Sequence, residues 1–196
     1  MNQAVRIIRD EHRAIAAVVH GLTRLAKAAQ DPSLKPDFKV FRAMIYYIDA
    51  FPERLHHPKE DRHLFARLAA RAPQARQLIE ELSAEHVMGV QLVRDLEQAL
   101  LAFEETWPKG AKAFADAVAA YADFHWSHMK KEEEQLMPLA EAALGAEDWS
   151  AIEAAFAANE DPLAGGVEDF DRLYTKIVNL APQPIGLGAQ WKKAQA

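Results

Sequence analysis

Along the first thirty residues the apolar positions recur in alternating steps of three and four, so that Val5, Ile8, Ile15, Val19 and Leu22 share one helical face. This spacing predicts a helix from about Asn2 to Gln30, stopped by Asp31-Pro32-Ser33. A second helix is predicted from near Pro36 to about Arg71, with Pro52 and Pro58 expected to kink it or relax part of a turn. The third follows Ala72-Pro73, carries the stripe Ile79, Leu82, Val90, Val93 and Leu100, and runs to about Glu105. Trp107-Pro108-Lys109-Gly110 separates it from a fourth, with the stripe Phe114, Val118, Tyr121, Leu136 and Leu139, which reaches about Leu144 with Gly145 as its C-terminal cap. No strand is read. Four long helices joined by short loops predict an all-α fold, an up-down-up-down antiparallel four-helix bundle over residues 1–145. Residues 146–180 are expected to add two shorter helices, Asp148 to Asn159 and Val167 to Leu180, broken at Asp161-Pro162 and Gly165-Gly166. Residues 181–196 are expected to form a flexible tail unless Trp191 docks.

Polar residues interrupt these stripes where the core should be dry. His12 fills the missing place in the helix-one series, and His86 sits four residues after Leu82 and four before Val90. In helix four, His125, His128 and Glu132 lie on the buried side. Helix two offers His56 and Glu60, four apart on one face, within the run His56-His57-Pro58-Lys59-Glu60-Asp61-Arg62-His63. One inward histidine can be satisfied by a single neighbour. Four helices each placing one inward would cost about 1 to 3 kcal/mol per unpaired group, so a common partner is required, and a cation supplies it. Heights agree. At about 1.5 Å of rise per residue, His12 and His56 lie roughly 26 and 30 Å from the first loop, and His86 and His128 roughly 28 and 27 Å from the third. The four imidazoles therefore converge on one layer.

Composition narrows the chemistry. The chain has 196 residues, half of them apolar, enough for one sizeable core, and a formal net charge of −6 with no excess of Lys and Arg, so neither nucleic acid nor an acidic membrane surface is an expected partner. There is no cysteine, which excludes thiolate metal sites, iron-sulfur clusters and cysteine nucleophiles. Any metal must be held by nitrogen and oxygen. The first residues carry Arg, Asp and Glu where a signal peptide would be apolar, and no later stretch reads as a membrane span, so a cytoplasmic location is expected.

The order His12, His56-x-x-x-Glu60, His86, His128-x-x-x-Glu132 resembles the hemerythrin-like HHE cation-binding family, whose pattern is H, HxxxE, H, HxxxE on four consecutive helices. The words HHPKEDRHLF and HMKKEEEQLMP are similar to family phrases. The resemblance implies that His12, His56, His86 and His128 bind iron and that Glu60 and Glu132 bridge two ions. It also exposes a departure: oxygen-carrying hemerythrins have HxxxH on the third helix, whereas here Val90 stands four after His86. Either a coordination position is open, or another histidine fills it. His125 is the preferred candidate, His57 and His63 the alternatives; Asp61 and Glu133 could replace their neighbours as ligands, and His20 reads as structural.

Imidazole and carboxylate donors without sulfur suit iron, with manganese or zinc as second choices, and two carboxylates able to bridge favour a pair of ions. Open positions on a non-haem di-iron pair would bind oxygen, nitric oxide or peroxide, with Phe124 and Trp126 near the pocket or in packing. The expected function is a di-iron protein that binds or senses a small diatomic ligand, with a protein partner or a homodimer as further possibilities. An oxidase or peroxidase-like enzyme, or an iron-handling protein, is the alternative; no inward acid or base beyond the ligands favours catalysis.

Overall fold

The computed structural model describes residues 2–157 and 167–194, and these are almost entirely helical. Helix α1 (Gln3–Ala28) starts at Asn2, whose side chain accepts the Ala4 N–H at 2.9 Å. Helix α2 (Phe38–Ile48) starts at Asp37 in the same way, accepting from Lys39 N–H at 3.0 Å. The chain then stays helical to residue 71 without staying regular. A π-helical stretch, Asp49–His56, leads into α3 (His57–Lys59), a second one, Glu60–Phe65, follows, and α4 (Ala66–Arg71) completes the run. Pro52 has no N–H to give the ladder and Pro58 removes another. The chain answers with widened turns rather than a break.

After a 3-10 turn at Pro73–Ala75 comes α5 (Arg76–Thr106), then α6 (Ala111–Lys131), a third π stretch (Glu132–Leu136) and α7 (Met137–Ala143). Gly145 does not cap this run, as the sequence suggested. Leu144 is already extended, and Gly145 opens α8 (Ala146–Ala157): its carbonyl accepts from Trp149 and its N–H donates to Asp148 Oδ2 at 3.2 Å. The expected helix over Asp148 to Asn159 thus ends its described part at Ala157, and the Asp161-Pro162 and Gly165-Gly166 break lies outside the described residues. Helix α9 (Val167–Leu180) follows. A two-residue antiparallel pair, β1 (Leu34–Lys35) with β2 (Lys192–Lys193), escapes the sequence reading because two residues carry no period.

Helix α1 packs against α2, α6 and α8, and α5 against α2 and α6, while α9 lies on α2. Trp191 does dock, its ring centroid 5.9 Å from that of Phe41. The packed apolar residues fall into two clusters among those described. One gathers Ile15, Leu22, Phe41, Val93, Phe103 and Phe114; the other gathers Val5, Ile8, Leu64, Leu82, Leu136 and Phe156. Along each long run the histidines and glutamates of the sequence pattern lie between members of the two. His12 falls between Ile8 and Ile15, and His86 between Leu82 and Val93.

Phe41 is wholly buried, with its ring against Phe114 at 5.0 Å. Phe41→Ala should therefore lower unfolding free energy by about 3–5 kcal/mol. Leu187→Ala, at a position 73 % exposed, should change it by less than about 0.5 kcal/mol. Urea denaturation followed by circular dichroism measures both.

Candidate metal centre

The widened turns decide which side chains meet. Glu60 and Glu132 each open a π stretch, and the stretch Asp49–His56 ends on a histidine. In a regular helix, neighbours such as His56 and His57 diverge by about 100°. Here both are buried: His56 faces His12, with Nε2 to Nε2 at 3.1 Å, while His57 stacks on His86 with ring centroids 4.3 Å apart and planes 8° from parallel.

Two donor groups result, and Glu60 belongs to both. One comprises His57, Glu60, His86 and His128; the other His12, His56 and Glu60, with the donor atoms of each group within 4.8 Å of one another. Glu60 Oε1 lies 3.4 Å from His56 Nε2 and 3.9 Å from His12 Nε2, whereas Oε2 lies 3.6 Å from His86 Nε2. Glu132 spans the groups likewise: Oε2 is 3.4 Å from His12 Nε2, and Oε1 is 3.2 Å from His128 Nε2 and 3.7 Å from His86 Nε2. Two carboxylates thus each turn one oxygen towards either group.

Behind these imidazoles stands a second set of carboxylates, each gripping an Nδ1. Glu11 on α1 reaches His56 at 2.7 Å, and Asp61 reaches His86 on α5 at 3.0 Å. Glu85 on α5 reaches His128 on α6 at 3.0 Å, and Glu133 reaches back to His12 on α1 at 3.0 Å. The contacts close a ring from each helical run to the next. His57 is the exception, held by Glu53 of its own run at 3.2 Å, with the Tyr121 hydroxyl donating to the other Glu53 oxygen at 3.2 Å. An outer carboxylate on Nδ1 leaves Nε2 bare and fixes the plane of the ring, which is how protein metal sites orient their imidazoles.

The electrostatics of the protein's own groups are frustrated. Burial pushes Glu60 well above the usual carboxylate range, and the neighbouring Glu132 pushes it further. Burial works the same way on Glu132, yet His128, His12 and His86 hold it well below that range. Burial opposes charge on His12, but Glu132 and Glu133 outweigh it and raise the imidazole to about 9; Asp61 and Glu132 do the same for His86, also to about 9. Burial, with His86 and His56 nearby, sends His57 well down. Despite this crowding, both oxygens of Glu60 and of Glu132, and Nε2 of His86 and His128, have no hydrogen-bond partner although they are sealed from solvent. Orphaned buried groups cost about 1–3 kcal/mol each. Oxygen and nitrogen donors that converge without hydrogen-bond partners fit a cation.

The structure thus brings together His12, His56, Glu60, His86, His128 and Glu132. It places His57, the lesser sequence alternative, in the donor groups and leaves the preferred candidate, His125, outside both. His125 is buried against Tyr121, ring to ring at 5.8 Å, with Nε2 unpartnered. Its neutral form is enforced by burial and then by His128 and His12, which bring it down to about 3. The reason for the exchange is phase: the π stretch Asp49–His56 rotates His57 inward, which a regular period does not anticipate. His63 is half-buried outside the groups and His20 is exposed. Asp61 and Glu133 stand behind imidazoles rather than beside Glu60 and Glu132 as donors. Phe124 stacks on His128 at 6.1 Å, and Trp126 is partly exposed beside His125. Glu11, Glu53 and Glu85 were missed. The signal for two of them was adjacency, Glu11-His12 and Glu85-His86, which reads on a helix as an exposed acid next to a buried histidine.

A buried cluster of imidazoles and carboxylates in a helical scaffold is that of a cation-binding protein. The hemerythrin HHE cation binding domain matches residues 3–140, and the chain belongs to that family. No curated protein matches it. Among the described residues no helix is long and apolar enough to cross a membrane.

Because His12 and His86 are raised to about 9, both carry a proton at pH 7 in protein stripped of metal. Their stabilising contribution is full below about 6.5 and is lost as pH rises through about 9. A cation needs those nitrogens bare, so metal uptake at pH 7 should release at least two protons per chain. A pH-indicator dye in weak buffer reads the release; uptake without it would contradict this electrostatic picture.

Proposed function

We propose that the protein holds two iron ions and binds or senses a small diatomic ligand at them. The observation that carries this reading is the sharing of Glu60 and Glu132 between two donor groups, one oxygen turned to each, which suits two ions rather than one. His57, His86 and His128 would hold one ion and His12 and His56 the other, with both glutamates bridging. An iron pair held this way would supply redox-active ions able to take oxygen or nitric oxide. His57 takes over the part played in oxygen-carrying relatives by the histidine four positions after that of the third helix, a place occupied here by Val90.

The fold reading that goes with this is an up-down-up-down bundle of the runs at residues 3–28, 38–71, 76–106 and 111–143, supported by the packing of α1 on α2 and α6 and of α5 on α2 and α6. Residues 146–180 would serve as a helical extension and residues 181–196 as a tail docked through Trp191. The chain's own groups perform three tasks. Glu11, Asp61, Glu85 and Glu133 fix ring planes, and the apolar clusters above and below exclude water. His125, neutral and buried, adds no charge beside the ions.

Iron titration of metal-free protein should end at two ions per chain and raise the melting temperature. Glu60→Ala should weaken both ions and His86→Ala only one. Ferrous protein opened to air should change its absorption reversibly on degassing. Peroxide consumption with irreversible bleaching would favour an oxidase or peroxidase-like enzyme instead, and less than one metal per chain would overturn the di-iron reading.

A further inference from the structure

Four of the five imidazoles in the donor groups are gripped by carboxylates that reach across from a neighbouring helical run and keep some exposure to solvent, from 16 % for the Glu11 and Glu85 side chains to 42 % for that of Glu133. The fifth is handled differently. His57 is held by Glu53, one turn back on its own run, and the Glu53 side chain is only 1 % exposed. We propose that Glu53 and Tyr121 are positioning residues that lock His57 into the centre as its fifth imidazole, and that Gly89 is the residue that makes room for them.

Stacking between His86 and His57 at 4.3 Å, with His128 edge-on to His57 at 5.2 Å, fixes the plane of the His57 ring. It does not fix which way round the ring sits, since a half-turn about the Cβ–Cγ bond keeps the plane while exchanging Nδ1 with Cδ2 and Nε2 with Cε1. Glu53 Oε2, 3.2 Å from Nδ1, makes that choice by accepting its N–H and leaves Nε2 without a proton. Glu53 needs a second hold, because a carboxylate buried among helices has no water to satisfy it. The Tyr121 hydroxyl donates to Oε1 at 3.2 Å, and Tyr121 is itself fully buried, with its ring stacked on His125. The third wall is α5. A Cβ on Gly89 would come within 2.8 Å of Glu53 Oε2, closer than such atoms approach, and 3.0 Å of Oε1, so the Glu53 carboxylate would have to move off its present position. What a larger residue at 89 would disturb is therefore the Glu53 side chain on another run and not the backbone of α5. The cassette joins three helical runs through four residues, and the ring of outer carboxylates has no counterpart to it.

This rests on the reading of His57 as a ligand, so the test separates the two. Iron affinity is measured on the full chain by competition with a chromophoric chelator, alongside the optical spectrum of the loaded protein and circular dichroism of each unloaded variant. Glu53→Ala and Gly89→Ala should each weaken one of the two ions about 10–100-fold and leave the other unchanged. Tyr121→Phe should do so to a smaller degree. Glu53→Gln, whose amide oxygen can still accept from His57 while its amide nitrogen donates to Tyr121, should recover most of the loss. Adding Gly89→Ala to Glu53→Ala should cost nothing further, because the group it would displace is already gone. If Glu53→Ala and Gly89→Ala hold both ions with wild-type affinity and spectrum while His57→Ala loses one, the positioning role is wrong and the ligand reading stands. If His57→Ala keeps both ions, the ligand reading falls and the proposal with it.

Discussion

Two carboxylates buried side by side with no hydrogen bond to either is the constraint from which the rest of this structure follows. Glu60 and Glu132 are wholly sealed from solvent, and none of their four oxygens has a donor. Like charges at such proximity cannot both persist in a medium of low polarizability unless positive charge lies between them. The imidazoles answer only half of this, since His12 and His86 must take up protons to do so. A cation answers all of it, by neutralising both glutamates and freeing the rings. Family membership and local chemistry therefore agree on cation binding from separate directions.

The scaffold is arranged around that layer. Apolar clusters lie on both sides, so the donors meet where water is excluded and hydrogen bonds cannot be borrowed from solvent. The price in helical regularity is confined to the runs that carry the two buried glutamates, where π stretches begin at Glu60 and Glu132. Outer carboxylates then tie each run to the next through the back of an imidazole, which couples the position of every helix to the orientation of a donor. Lys131 extends this outward by pairing with Glu85 and Glu81.

Much of the donor set could be read from spacing because a helix keeps i and i+4 on one face. His56 with Glu60 and His128 with Glu132 are such pairs, and the similar distances of the histidines from their loops placed them at one depth. What spacing could not deliver was phase through an irregular helix. Pro52 signalled a disturbance, but whether it would turn His57 or another residue inward depended on the size of the following turn. The preference for His125 came from a regular period applied to α6. That period does bury His125, but next to the donor groups and not in them. Two of the outer carboxylates were hidden for another reason: Glu11 and Glu85 retain exposure and look in sequence like a solvated face. Only the contact across a helix boundary distinguishes them, and no single helix encodes it. The β1 and β2 pair was invisible because it comprises two residues on each side.

Two ions sharing Glu60 and Glu132 is what the convergence of the donors implies. Anomalous diffraction at the iron edge, from crystals of iron-loaded protein grown without chelator, tests it most directly. Two peaks are expected inside the helical layer, one among His57, His86 and His128 and one beside His12 and His56, with both glutamates between them. A single peak, or iron located only on the surface acids, would contradict it.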